Sequence, residues 1–249
     1  MTELFHYVLG LADDQLVLGH RVSEWIGSAP VLEEELALAN VGLDLIGASR
    51  TLFTYAGEIE GKGRDEDQLA YLRDAVAYRN LLLAELPNGD FAFTIVRLTL
   101  YAAFMTPYWE ALSASKDETL SAIAAKCVKE SRYHLRHAGE WLVRLGDGTE
   151  ESRRRANAAV EELWPFTGEL FVMEKAEVDL AQEGVAVDRV ALRPAWRETV
   201  GGILREATLE MPKDEWIQSG GRAGRHTEYL GHMLAEMQSL QRTYPGAKW

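Results

Sequence analysis

The stretch Leu36-Ala37-Leu38-Ala39-Asn40-Val41-Gly42-Leu43-Asp44-Leu45-Ile46-Gly47-Ala48-Ser49-Arg50-Thr51-Leu52-Phe53-Thr54-Tyr55-Ala56-Gly57 holds two charged residues, Asp44 and Arg50. Leu32, Leu36, Ala39, Leu43, Ile46 and Phe53 recur at steps that are mostly three or four residues, and Leu38, Leu45, Leu52 and Ile59 form a second row beside them. That periodicity predicts a helix. A helix apolar on nearly every side, in a chain polar elsewhere, is expected in the middle of a helical bundle. Asp44 is then a carboxylate inside a core. Such a group is paired, hydrogen-bonded, protonated or bound to a metal, because an ionised carboxylate alone is costly to desolvate. Arg50 or another arginine supplies one answer, and a carboxylate-bridged metal site between helices supplies the other.

Outward from this stretch the chain reads as helices joined by short loops. Asp13 or Asp14 is placed to cap a first helix running to about Gly27, and Pro30 marks the break before the second. A helical pattern from Glu66 to Leu86 stops at Pro87-Asn88-Gly89. Asp90 caps an aromatic-rich helix to about Ser113, and Asp117 opens another to Leu145 with Leu120, Ala124, Cys127, Ser131, His134, Ala138, Trp141 and Leu145 as its inner row. A helix follows from about Thr149, an irregular piece after Gly184, and a helix with Pro194 in its first turn up to Leu209. The last helix is expected over about 227–242. No sustained strand alternation is present, so the fold class is all-α, a four-helix bundle with flanking helices in a single domain over 1–249.

The 249 residues carry 47% apolar side chains, enough for a real core. A net charge of −13 argues against nucleic-acid or anionic-membrane binding, which rewards lysine and arginine stripes. The lone Cys127 excludes an intrachain disulfide and a cysteine zinc site. With no signal-like start and no apolar run elsewhere approaching the roughly 18 residues a membrane span needs, the expectation is a soluble cytoplasmic protein.

Chemistry-bearing residues are few. Asp44, Asp74 and Glu130 are acids on expected bundle helices, but a carboxylate-bridged di-iron site also needs histidines three residues after two of its acids. Ala77 follows Asp74 and Tyr133 follows Glu130 at that spacing. Glu130, His134 and His137 share one stripe, so a different metal site is the competing reading, against a core His134 bonded to a buried acid. Arg222, Arg225 and His226 precede the last helix, where free amides favour an anion, and the plainer reading of the same residues is a solvated, glycine-rich loop. Trp249 reads either as an interface residue or as a single exposed aromatic that needs no special cause.

The strings Ala37-Leu38-Ala39-Asn40-Val41-Gly42-Leu43-Asp44-Leu45-Ile46-Gly47, Asn80-Leu81-Leu82-Leu83, Pro87-Asn88-Gly89, Lys129-Glu130-Ser131-Arg132-Tyr133-His134-Leu135-Arg136, His226-Thr227-Glu228-Tyr229-Leu230-Gly231 and Met233-Leu234-Ala235-Glu236-Met237-Gln238 resemble the PaaC subunits of bacterial phenylacetyl-CoA oxygenases, the ring 1,2-epoxidases. The resemblance runs nearly end to end. It implies a ferritin-like, structural subunit with no cofactor of its own. Its implied partners are a catalytic PaaA-type subunit that holds the di-iron centre, a small PaaB-type subunit, and a reductase with FAD, an iron-sulfur cluster and NADPH. It also implies that Asp44, Asp74 and Glu130 are remnants of a lost metal site. A homodimer of the isolated chain is a further expectation, and Arg222 or Arg225 reaching coenzyme A phosphates across an interface is a weaker one. The competing expectation is a self-sufficient metal-dependent oxygenase built on Glu130, His134 and His137.

Overall fold

A computed structural model describes residues 3–247, so Trp249 and its expected interface role lie outside the described residues. Every regular element among them is helical. The domain expected over 1–249 divides into two compact units, one of 1–25, 38–87 and 219–249, the other of 26–37 and 88–218.

In the first unit, α1 (Glu3–Ser23) begins ten residues before Asp13, which corrects the expected cap. Phe5, Val8, Leu9, Leu11 and Ala12 already supply an apolar face, and Asp13 and Asp14 sit mid-helix at 0% exposure. They are tolerated there because arginines reach them, Arg73 to Asp13 and Arg222 to Asp14. Helix α2 (Leu32–Glu60) confirms the quoted stretch as one helix. Gly19 lets α1 approach it, since a Cβ there would lie 2.9 Å from Ile46 Cγ1, and Ser49 Oγ donates to the Ala12 carbonyl at 2.9 Å. The second apolar row is the inward one: Leu38, Leu45 and Leu52 are buried and Ile59, at its end, is half-buried. Leu32, Leu36 and Leu43 are 67%, 58% and 68% exposed, and Asp44 beside them is half-buried, not in a core. Helix α2 is also long and apolar enough to cross a membrane by length and composition, but 44% of that window is buried inside the fold.

The helix expected over 66–86 is three pieces: α3 (Glu66–Tyr71), a 3₁₀ turn (Ala75–Ala77) and α4 (Leu82–Glu85). Its local start signal is real, because Asp65 and Gln68 form a capping box. The helix then breaks where α1 claims its donors. Asp13 Oδ2 accepts the Arg79 amide at 2.8 Å and Asp14 Oδ1 accepts the Leu81 amide at 2.7 Å, bonds that an uninterrupted helix would spend on itself. Near the C-terminus, α10 (Glu228–Met237) and α11 (Ser239–Thr243) replace the one expected helix. Buried Gln238, between them, donates to the carbonyls of Ala70 at 3.2 Å and Arg73 at 2.9 Å.

In the second unit, α5 (Phe91–Leu112) and α6 (Glu118–Gly146) start at their expected caps, Asp90 Oδ1 accepting from Phe93 N and Asp117 Oδ1 from Leu120 N, each at 2.9 Å. Helix α5 is buried along most of its length, and α7 (Glu150–Thr167) packs against both. A short α8 (Lys175–Gln182) was not expected. Helix α9 (Arg189–Glu206) starts five residues before Pro194, because Asp188 caps it through the Val190 and Ala191 amides. Buried Trp196 of α9 donates to the Leu100 carbonyl of α5 at 3.0 Å. The C-terminal end of α6 meets that of α9 at Gly146, where a Cβ would stand 2.0 Å from the Ala207 carbonyl oxygen. Gly146→Ala is therefore expected to cost about 1–3 kcal/mol, because backbone rather than a flexible side chain must yield. Urea denaturation measures it, with Gly202→Ala as the control: no atom lies within 4 Å of a Cβ there.

Candidate functional site

The residues read as metal-site positions are divided between the two units, Asp44 and Asp74 in the first and Glu130, His134 and His137 in the second. Asp74 caps no long helix. It precedes the 3₁₀ turn and pairs with Arg242 at 2.9 Å near the surface, and Ala77 lies on that turn. Tyr133 points outward, 40% exposed, and stacks on His137 with ring centroids 6.1 Å apart. The Nε2 of His137 lies 3.0 Å from Glu34 Oε2, at the start of α2 and in the same unit. Glu130 is half-buried and His134 is buried.

The inward register of α6 runs one residue on from Glu130. Ser131 and His134 are the buried pair at three-residue spacing, and Ser131 Oγ hydrogen-bonds Thr106 Oγ1 of α5 at 2.9 Å. Bundle di-iron sites place a glutamate three residues before an inward histidine and another carboxylate on a facing helix. Here the position before His134 and the facing residue that touches it are both hydroxyls, which bond each other. Among the described residues no three histidine, cysteine, aspartate or glutamate side chains gather to hold a metal. A ferritin-type di-iron centre does not fit this donor set. Ser131 and His134 belong to the inner row that the helical period predicts, and Glu130 is the acid next to that row.

The strongest cluster of buried charge lies in the first unit, and the sequence reading found only one side of it. Asp13, Asp14 and Glu85 are each 0% exposed. Arg73 grips Asp13 through its two terminal guanidinium nitrogens, and Arg222 Nη2 reaches Asp14 Oδ2 at 2.6 Å. His226 Nδ1 lies 2.8 Å from Glu85 Oε2, while Glu85 Oε1 accepts the Thr227 amide at 2.6 Å and Asn80 Nδ2 donates to Oε2 at 2.8 Å. Arg21 donates to the Glu85 carbonyl through Nε at 3.0 Å and to the Tyr229 carbonyl through Nη2 at 3.2 Å.

These contacts change the reading of Arg222, Arg225 and His226. Thr227 is the N-cap residue of α10, so the anion drawn to that end of the helix is Glu85 of the same chain. Arg222 and His226 are engaged by internal acids, and Arg225 alone of the three is exposed. The missed signal was an acid set among apolar neighbours, Asp13-Asp14 between Leu11-Ala12 and Leu16-Val17, and Glu85 within Leu82-Leu83-Ala84-Glu85-Leu86. The cluster does structural work: it fastens the broken 66–86 segment and the start of α10 to α1.

The family described as Phenylacetic acid catabolic protein matches residues 1–249. The chain is also 49% identical over 249 residues to one of the subunits of the 1,2-phenylacetyl-CoA epoxidase of Escherichia coli strain K12, with 100% of both sequences covered. The all-α, ferritin-like architecture agrees with that match. With family and relative each matched from end to end, the chain belongs to the phenylacetic acid catabolic protein family.

Proposed function

We propose that this chain is the non-catalytic, structural subunit of a multisubunit phenylacetyl-CoA 1,2-epoxidase in aerobic phenylacetate breakdown. The carrying observation is the hydroxyl pair Thr106–Ser131 beside His134, where a ferritin-type centre needs carboxylates. Oxygen chemistry then belongs to a di-iron sister subunit of the PaaA type. A small PaaB-type subunit and a reductase carrying FAD, an iron-sulfur cluster and NADPH complete the system. The chain works in the cytoplasm, in keeping with its buried free Cys127. Its part is to hold the catalytic subunit in its active arrangement, and exposed Leu32, Leu36 and Leu43 of α2 support a docking role.

Reconstitution tests this. Omitting the chain from the purified oxygenase is expected to abolish epoxidation, whereas His134→Ala within the complex leaves its iron content unchanged. Full activity without the chain sinks the scaffold role. Loss of iron in His134→Ala would move the metal to this subunit and restore the reading built on Glu130, His134 and His137.

A further inference from the structure

The imidazole of His226 sits between two acceptors. Its Nδ1 lies 2.8 Å from Glu85 Oε2 and its Nε2 lies 3.0 Å from the Tyr78 carbonyl oxygen. A neutral imidazole carries one N–H and one lone pair, so either tautomer would aim a lone pair at an oxygen. The Tyr78 carbonyl cannot donate. Glu85 also accepts N–H groups from Thr227 and Asn80, and a proton shared between a carboxylate and an imidazole rests on the more basic ring. Only the doubly protonated ring satisfies both contacts.

We infer that His226 is a protonated clasp, and that losing its proton loosens the segment 226–237 from α1 and α4. The surrounding charges favour the clasped form below neutrality. Glu85 on α4 faces the ring directly and Asp13 on α1 adds its charge. On the cationic side, Arg21 of α1 is engaged with the Glu85 and Tyr229 carbonyls, Arg222 with Asp14, and Arg73 with Asp13. Arg79 shares the Tyr78 carbonyl, its Nη1 lying 2.6 Å away. Burial alone would lower the His226 pKa; the hydrogen bond and charge of Glu85, the Tyr78 carbonyl and Asp13 outweigh it and raise the value above its ordinary 6.5.

The sign follows by linkage. A group whose folded pKa is raised stabilises fully below its unfolded value, and that contribution is lost as pH rises through the folded value. The clasp is thus firm below 6.5 and weakens above it. The anchors farther along, Gln238 on the Ala70 and Arg73 carbonyls and Arg242 on Asp74, involve no histidine, so loosening starts at the α10 end.

Hydrogen exchange of the full-length chain between about pH 6 and about pH 9, corrected for intrinsic exchange, is the test. The opening constant of the α10 amides is expected to rise by up to about tenfold per pH unit from 6.5 to the folded pKa, and to be flat over that range in His226→Gln. A flat wild-type profile, or an equal slope in the variant, overturns the clasp. Ring-nitrogen NMR of the histidine-labelled wild type reads the same point without a variant. Two protonated nitrogens on His226 at about pH 6.5 are expected, and a bare lone pair there overturns the inference.

Discussion

Replacing Arg73 with methionine is expected to lower the unfolding free energy by about 3–5 kcal/mol, because it strands the Asp13 carboxylate in the core without its cation. Arg73 is 6% exposed. Its Nη1 donates to Asp13 Oδ2 and to the Ala77 carbonyl, each at 3.0 Å, and its guanidinium lies 4.2 Å from the Tyr78 ring centroid. Asp13 in turn holds the Arg79 amide, so the pair fixes both the arginine and the path of the chain after the 3₁₀ turn. The double variant Asp13→Leu/Arg73→Met should recover part of the loss, since apolar replacement of a buried pair is often neutral. Full recovery is not expected: the Arg79 amide loses its acceptor, which costs about 1–3 kcal/mol. Urea denaturation of the two variants checks this. A loss below about 1 kcal/mol for Arg73→Met alone would mean the pair is solvated and the cluster does not fasten this unit.

The same residues explain what was legible in the sequence. Caps written into neighbouring positions were readable, as with Asp90, Asp117 and Thr149, because their physics is local. The break of the 66–86 helix was not, because its cause lies over sixty residues away in Asp13 and Asp14. Those acids look like cap residues to any local reading, and only their arginines show them to be core. On α6 the expected inner row is buried from Leu120 to Ala138 and half-buried at Trp141 and Leu145, and Glu130 stands one residue off that row, half-buried. On α2 the failure was different in kind. Both apolar rows satisfy a helical period, and periodicity cannot tell a row that faces the chain's own core from one kept for another surface.

That second row leads to the other large effect. On the docking role proposed above, Leu43→Asp is expected to leave the isolated chain folded and to weaken its association with the proposed catalytic partner by about 100-fold or more, with a matching loss of epoxidation at limiting concentration. Leu43 is 68% exposed, so the folding cost stays within helix propensity, about 0.7 kcal/mol at most. Leu32, Leu36 and Leu43 recur along α2 at steps of four and seven, a helical spacing. Beyond Leu43, Gly47 has no atom within 4 Å of where a Cβ would stand, leaving room for a partner helix to approach. Covering one leucine gains about 1.5–3 kcal/mol, and placing a carboxylate there adds its desolvation cost, so the sum exceeds 2 orders of magnitude in affinity. Leu45→Asp separates the two rows of α2: Leu45 is 5% exposed, and its variant should fail by unfolding rather than by failing to dock. Sedimentation of each variant alone and with the catalytic subunit reads both effects. If Leu43→Asp assembles with unchanged affinity, this stripe is not the docking face, and the scaffold reading must find its contact on another helix.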